Sequence, residues 1–261
     1  MGAKLSLAPV FYTLVQFKFN PITQMPEYVP RLQEHLRRIG YPDFRQDTLF
    51  SLNIRRAEDP QPEVQNLQQP RWSFVNSKGN EGYLLLQDSL IFHTTAYNTF
   101  DDFSEKALSG LNLIHETIEL AYLDRIGLRY LDLIVPSDEG KLDEYLTPSL
   151  LGLSTLVAGS LSHSFTETVS QIDDGTLIAR SLISETGLAI PPDLVPLNLK
   201  LPSRVSSVAC RNAVLDIDYF VTQRLDGIDI ELIKSNLLTS HDIITKAFLA
   251  SVTEHAIKNW E

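Results

Sequence analysis

A chain of 261 residues with 43% hydrophobic and 21% charged residues has ordinary globular composition and room for one large domain or two compact ones. Its net charge of −11 is uneven, with 13 Lys/Arg against 15 Asp/Glu in residues 1–130 and 9 against 18 in residues 131–261, which disfavours nucleic acid and anionic lipid as partners. Cys210 is the only cysteine, so an intrachain disulfide and a cysteine-cluster metal site are excluded and a reducing cytoplasm is expected.

Alternation over Val10 to Phe19 predicts a first strand, with Phe11, Thr13, Val15, Phe17 and Phe19 on one face, broken at Asn20-Pro21. Val29, Leu32, Leu36 and Ile39 recur at steps of three, four and three, which predicts an amphipathic helix from about Met25 to Ile39. Strands are expected at Thr48 to Arg56 and Arg71 to Asn76, separated by a polar, proline-containing loop from Ala57 to Gln69. A further hairpin is expected from Tyr83 to Tyr97, turning around Asp88-Ser89. Thr99 is placed to cap a helix whose first turn carries Asp101 and Asp102, and whose apolar stripe runs from Phe100 to Ala121. This helix feeds the central strand, Asp124 to Val135, which is apolar on both faces at its end and stopped by Pro136.

The second half opens with a connector from Pro136 to Leu153 in which a short helix is plausible. A hairpin follows, Ser160 to Gln171 and Thr176 to Ser184, turning at Asp173-Asp174-Gly175. Glu185 to Val208 is proline-rich and weakly periodic, and reads as a crossing loop. Val208 to Gln223 is the last strand, with Leu215, Ile217, Tyr219 and Val221 facing in and Asp216 and Asp218 facing the other way. The chain turns helical near Ile230, and a final helix is expected to begin at Ser240.

No glycine-rich phosphate loop, HExxH, GxSxG or CxxC occurs. His115 with Glu116 and Glu119 gives at most two metal ligands on one helix face, and His241-Asp242 is read as a polar helix opening. Asp216 and Asp218, with Asp226, Asp229 and Glu231 downstream, could hold a cation or act as acid and base, although a solvated sheet face is the simpler account. Arg125 and Arg129 share a strand face and require carboxylate partners if buried, which Asp216 or Asp218 could supply. Together these four form the candidate polar cluster, structural or ligand-anchoring. Arg31, Arg37, Arg38, Arg45, Arg55 and Arg56 face only Glu34, Asp43 and Asp47 between positions 31 and 56, which makes Arg31, Arg37, Arg38, Arg55 and Arg56 a candidate partner surface. Gly2 with Ser6 fits a loose myristoylation pattern that recurs by chance.

Leu7-Ala8-Pro9-Val10, Tyr97-Asn98-Thr99-Phe100-Asp101-Asp102-Phe103, Arg125-Ile126-Gly127-Leu128-Arg129-Tyr130 and Leu215-Asp216-Ile217-Asp218 follow one another along the chain. In this order the chain resembles a sporadically distributed family of uncharacterised bacterial proteins of similar length. The resemblance implies no activity to carry over. The patchy distribution of that family points to mobile-element or defence-related gene neighbourhoods.

The resulting expectation is an α+β protein with mainly antiparallel sheets and helices packed on one face. Two related subdomains are expected, residues 1–136 and 137–261. Functionally, a non-catalytic interaction module is expected, cytoplasmic, bound to another protein, without cofactor, metal or membrane. An enzyme or small-ligand receptor with its pocket at Arg125, Arg129, Asp216 and Asp218 is the alternative.

Overall fold

The structure is a computed structural model that describes residues 7–55, 63–137, 141–157, 159–195 and 197–261. In chain order they form β1 (Val10–Phe19), α1 (Met25–Arg38), β2 (Asp43–Arg55), β3 (Glu63–Val75), β4 (Glu81–Leu85), β5 (Ser89–Thr94), α2 (Phe100–Ile118) and β6 (Tyr122–Ile134). Short helices α3 (Leu142–Tyr145) and α4 (Pro148–Leu151) lead to the hairpin β7 (His163–Ile172) and β8 (Gly175–Ser184). After the one-turn helix α5 (Ser203–Ser206) come β9 (Asn212–Val221), the two-residue β10 (Leu225–Asp226), α6 (Ile230–Ser251) and α7 (Glu254–Trp260).

All ten strands join one antiparallel sheet in the order β2-β3-β4-β5-β1-β6-β9-β8-β7, with β10 beside the start of β6. This is an α+β fold. The sheet crosses the boundary between residues 136 and 137 without a break, because β6 of the first half pairs along its length with β9 of the second. Helices α1, α2 and α6 lie on one face, over a core that includes Phe17, Phe19, Tyr83, Phe92, Leu128, Ile217 and Tyr219. On the opposite face the crossing segment 185–211 covers Tyr12, Leu131, Leu133, Leu182 and Val214 with Leu197 and Val205. A sheet covered on both faces explains why the end of β6 is apolar in both registers.

Three expectations change. Strands β2 and β3 are much longer than the sequence suggested, and Glu63 to Gln69 is strand rather than loop. Beyond Trp72, where β4 pairing ends, these two strands pair only with each other among the described residues. Pro70 sits in this ribbon, where its missing N–H costs no bond to β4. The helical stretch expected from Ile230 and the final helix expected from Ser240 are one continuous helix, which the Asp229 carboxylate caps by accepting from the Glu231 and Leu232 N–H groups. His241 therefore lies inside a helix and does not open one. Strand β6 starts two residues before the expected strand and ends one residue short of it, at Tyr122–Ile134, and the Thr99 cap of α2 is as read.

Gly110 sets how closely α2 approaches the sheet, since a Cβ there would run into the ring of fully buried Tyr83. Gly110→Ala is expected to destabilise the protein by about 1–3 kcal/mol through overpacking, measured by chemical denaturation. A neutral result would mean that the helix can ride outward at no cost.

Candidate binding site

Strand alternation on β6 sends Arg125 and Arg129 to the face under the crossing segment, and Tyr130 and Asp132 to the helix face. Directly opposite Arg129 on β9 is Asp218, and Asp216 lies one pleat further on the same face. The Arg129 guanidinium donates twice to Asp216, Nε to Oδ1 at 2.6 Å and Nη2 to Oδ2 at 2.7 Å, and its Nη1 donates to Asp193 Oδ2 at 2.5 Å. Arg180 of β8 adds a bond to Asp216 Oδ2 at 3.1 Å and reaches Glu167 of β7 at 2.6 Å. Burial opposes the charge on Arg129, but the bonds to Asp216 and Asp193 outweigh it and hold the guanidinium protonated. Asp193 is partly desolvated, yet its bond to Arg129 holds it below the usual carboxylate range.

The carboxylates of β9 are therefore not on a solvated sheet face. The Asp216 side chain is fully buried, and its charge is met by two arginines. Asp193 comes from the crossing segment, so the network also pins that cover to the sheet. Each charge of Arg129 and Asp216 is answered within the protein, as a buried ion pair requires.

Arg125 is held differently. It donates to the Gln16 side chain, lies over the Phe220 ring with its central carbon 4.1 Å from the centroid, and stands 3.8 Å from Asp218. Burial lowers its pKa and raises that of Asp218, which marks a loose, half-desolvated ion pair. The structure thus gathers all four members of the predicted cluster on one face and divides them into a tight pair and a loose one. Gln16, Glu167, Arg180 and Asp193 complete the network, and sequence reasoning missed them. Arg180 and Glu167 sit opposite one another in the hairpin register and were legible as a cross-strand pair. Asp193 lies in a segment without periodicity and left no signal.

On the helix face the Tyr130 hydroxyl lies 3.3 Å from the Tyr97 hydroxyl and 3.2 Å from His241 Nδ1. His241 stacks on Phe100 at 4.3 Å between ring centroids. Burial lowers the His241 pKa and raises those of Tyr97 and Tyr130, so all three are neutral near pH 7. Asp132, two residues along β6, is pushed up to about 7 by burial, opposed only by the charge of Arg204. A second buried pair joins the Tyr12 hydroxyl to His93 Nδ1 at 2.9 Å, with His93 lowered to about 3 by burial and by Arg71.

The predicted arginine surface is only partly assembled. Arg31, Arg37 and Arg38 are exposed on α1, but Arg37 and Arg38 both bind Glu34, at 2.9 and 2.7 Å, and pull its carboxylate down to about 2. Arg55 ends β2 with only its backbone described, and Arg56, like the Gly2/Ser6 pattern, falls outside the described residues. Among the described residues no group of three or more His, Cys, Asp or Glu side chains could hold a metal, and no helix is long and apolar enough to cross a membrane.

The outer strand β7 contrasts with these satisfied clusters. Among the described residues it pairs only with β8, its side chains are largely exposed, and Phe165 and Val169 stand 56% and 55% exposed on the face that also carries Glu167. Beside it, the turn at residues 152–155 leads into exposed Leu156 and Val157. No family model matches the chain, and no curated protein matches it.

Proposed function

We propose that the protein is a non-catalytic interaction module that receives an extended segment of a partner protein along the outer edge of β7. The observation that carries this reading is a ten-residue edge strand whose outer side pairs with no other strand among the described residues, with Phe165 and Val169 exposed. In an antiparallel ladder every second residue of such a strand turns its N–H and C=O outward. Natural edges are usually blunted by lysine, proline or a bulge, and β7 carries neither lysine nor proline and pairs with β8 in unbroken register. Addition of a strand would satisfy the backbone, while Phe165 and Val169 would select apolar side chains at alternate positions. The excess of acidic residues in the second half favours a basic segment. The link to mobile elements or defence rests on the family resemblance and adds no residue to this reading.

Native affinity capture of the tagged protein from its host, with mass spectrometry, is expected to recover a stoichiometric protein partner. The Phe165→Lys/Val169→Lys variant is expected to lose that partner with little change in stability, because both side chains are exposed. Equal recovery by the variant would sink the edge-strand reading.

A small-ligand receptor at Arg125 and Asp218 is the second reading, favoured by the loose 3.8 Å pairing of these two. A co-purifying metabolite that is lost in Arg125→Ala would support it over the first.

A further inference from the structure

On the helix face, between the first half of α6 and the β7–β8 turn, lies an open pocket of about 100 Å³. Its apolar walls are Ile126, Val221, Leu225 and the Tyr219 ring, and its polar rim is Asp173, Asp174, Gln223, Asn236 and Thr239. This volume is far below the roughly 300 Å³ at which small-molecule pockets begin. A nucleotide or a ring-bearing cofactor does not fit. The end of one unbranched side chain does.

The chemistry of the rim narrows the occupant. Asp173 and Asp174 form no ion pair with a described residue, and every other rim group is neutral. Their field reaches the pocket wall, where the two carboxylates add to burial in raising the Tyr219 pKa. Tyr219 itself is held by a hydroxyl bond to the Ile172 carbonyl at 3.0 Å, which fixes the ring as a wall. An apolar slot with carboxylates at its mouth suits a group that buries methylenes and keeps a cation in water. Lysine fits better than arginine, because a flexible stem with a compact charge asks for no flat guanidinium slot.

We propose that this pocket is a binding site for a primary alkylammonium group, supplied as a lysine side chain by the basic partner. The lysine source rests on the interaction reading above, whereas the amine chemistry rests on the pocket alone.

The test is an NMR titration of the full chain with N-acetyl-lysine methylamide, with N-acetyl-norleucine methylamide as the same stem without its charge. Saturable shifts are expected at residues 173–174, 219–225 and 236–239 for the lysine compound, with binding at least ten-fold weaker for the norleucine compound. Asp173→Asn/Asp174→Asn is expected to weaken lysine binding at least ten-fold while remaining folded. Both positions are exposed, and asparagine accepts the positive φ of Asp173. Equal binding of the two compounds, or no saturable shift, would overturn the site. n-Butylammonium serves as the free-amine arm. Binding of n-butylammonium tighter than that of the lysine compound would overturn the lysine source while leaving the amine site. Partner capture by the Phe165→Lys/Val169→Lys variant reports on the β7 edge independently, so the two readings fail separately.

Discussion

Arg129→Leu is expected to destabilise the protein by about 3–5 kcal/mol, the usual cost of removing one partner from a buried ion pair. The variant leaves the Asp216 carboxylate fully buried with Arg180 as its remaining counter-charge, and releases Asp193 from the crossing segment. Two charged hydrogen bonds to Asp216 and the tether to the cover are lost together. The double variant Arg129→Leu/Asp216→Leu is expected to recover most of the loss, because it removes both desolvated charges and fills their space with apolar atoms. Guanidinium denaturation of the two single variants and the double variant at pH 7 gives the coupling directly. A loss below about 1 kcal/mol in Arg129→Leu would show that water reaches the pair, and would return Arg129 to the candidates for ligand binding. The pH dependence has a defined sign. Asp193 is held below the usual carboxylate range, so its contribution is complete above its unfolded pKa and is lost as pH falls through the folded value.

The division of labour on β6 was half visible in the sequence. Alternation alone assigns Arg125 and Arg129 to one face, and the demand of a buried arginine for a carboxylate points to the β9 pair. What alternation does not report is cover. Two aspartates at i and i+2 look the same whether their face meets water or a cover, and here the cover is the proline-rich segment, whose lack of periodicity reads as a crossing loop and does not say which face it crosses. Only the β3 side of the β2–β3 ribbon was missed: Thr48 to Arg56 reads as a strand, whereas Glu63 to Gln69 does not. Past Trp72 the ribbon pairs with nothing but itself among the described residues, so Glu63 to Gln69 need no apolar alternation and resemble a linker. The onset of α6 near Ile230 was legible, but Ser235, Asn236, Thr239 and Ser240 interrupt the apolar stripe and make one helix look like two. The contact of Tyr97, Tyr130 and His241 joins residues up to 144 positions apart by sequence number, from a loop, a strand and a helix. No local pattern encodes such a meeting.

Asp132→Asn is expected to make the protein more stable at pH 8, by about 2–4 kcal/mol, and to leave it within about 1 kcal/mol of the parent near pH 4. Asp132 is buried on the helix face of β6, where its charge acts on Tyr97 and Tyr130, and burial raises its pKa from 3.8 to about 7. A carboxyl with a raised folded pKa binds its proton more tightly in the native state than in the unfolded chain. Its contribution is therefore most favourable below the unfolded pKa and is progressively lost as pH rises from about 4 to about 7. Asparagine keeps the shape and the polar atoms of the neutral acid without a charge to desolvate, so the variant isolates this one titration. His93 works in the other direction, since its pKa is depressed to about 3 and protonation of the unfolded chain costs stability as pH falls below about 6.5. That component is common to parent and variant and cancels in their difference. Denaturation midpoints across pH 4–8 would therefore diverge above pH 5 if Asp132 ionises in place. Parallel curves would mean that the carboxyl is already solvated or paired in the native state, and that the helix face of β6 tolerates its charge.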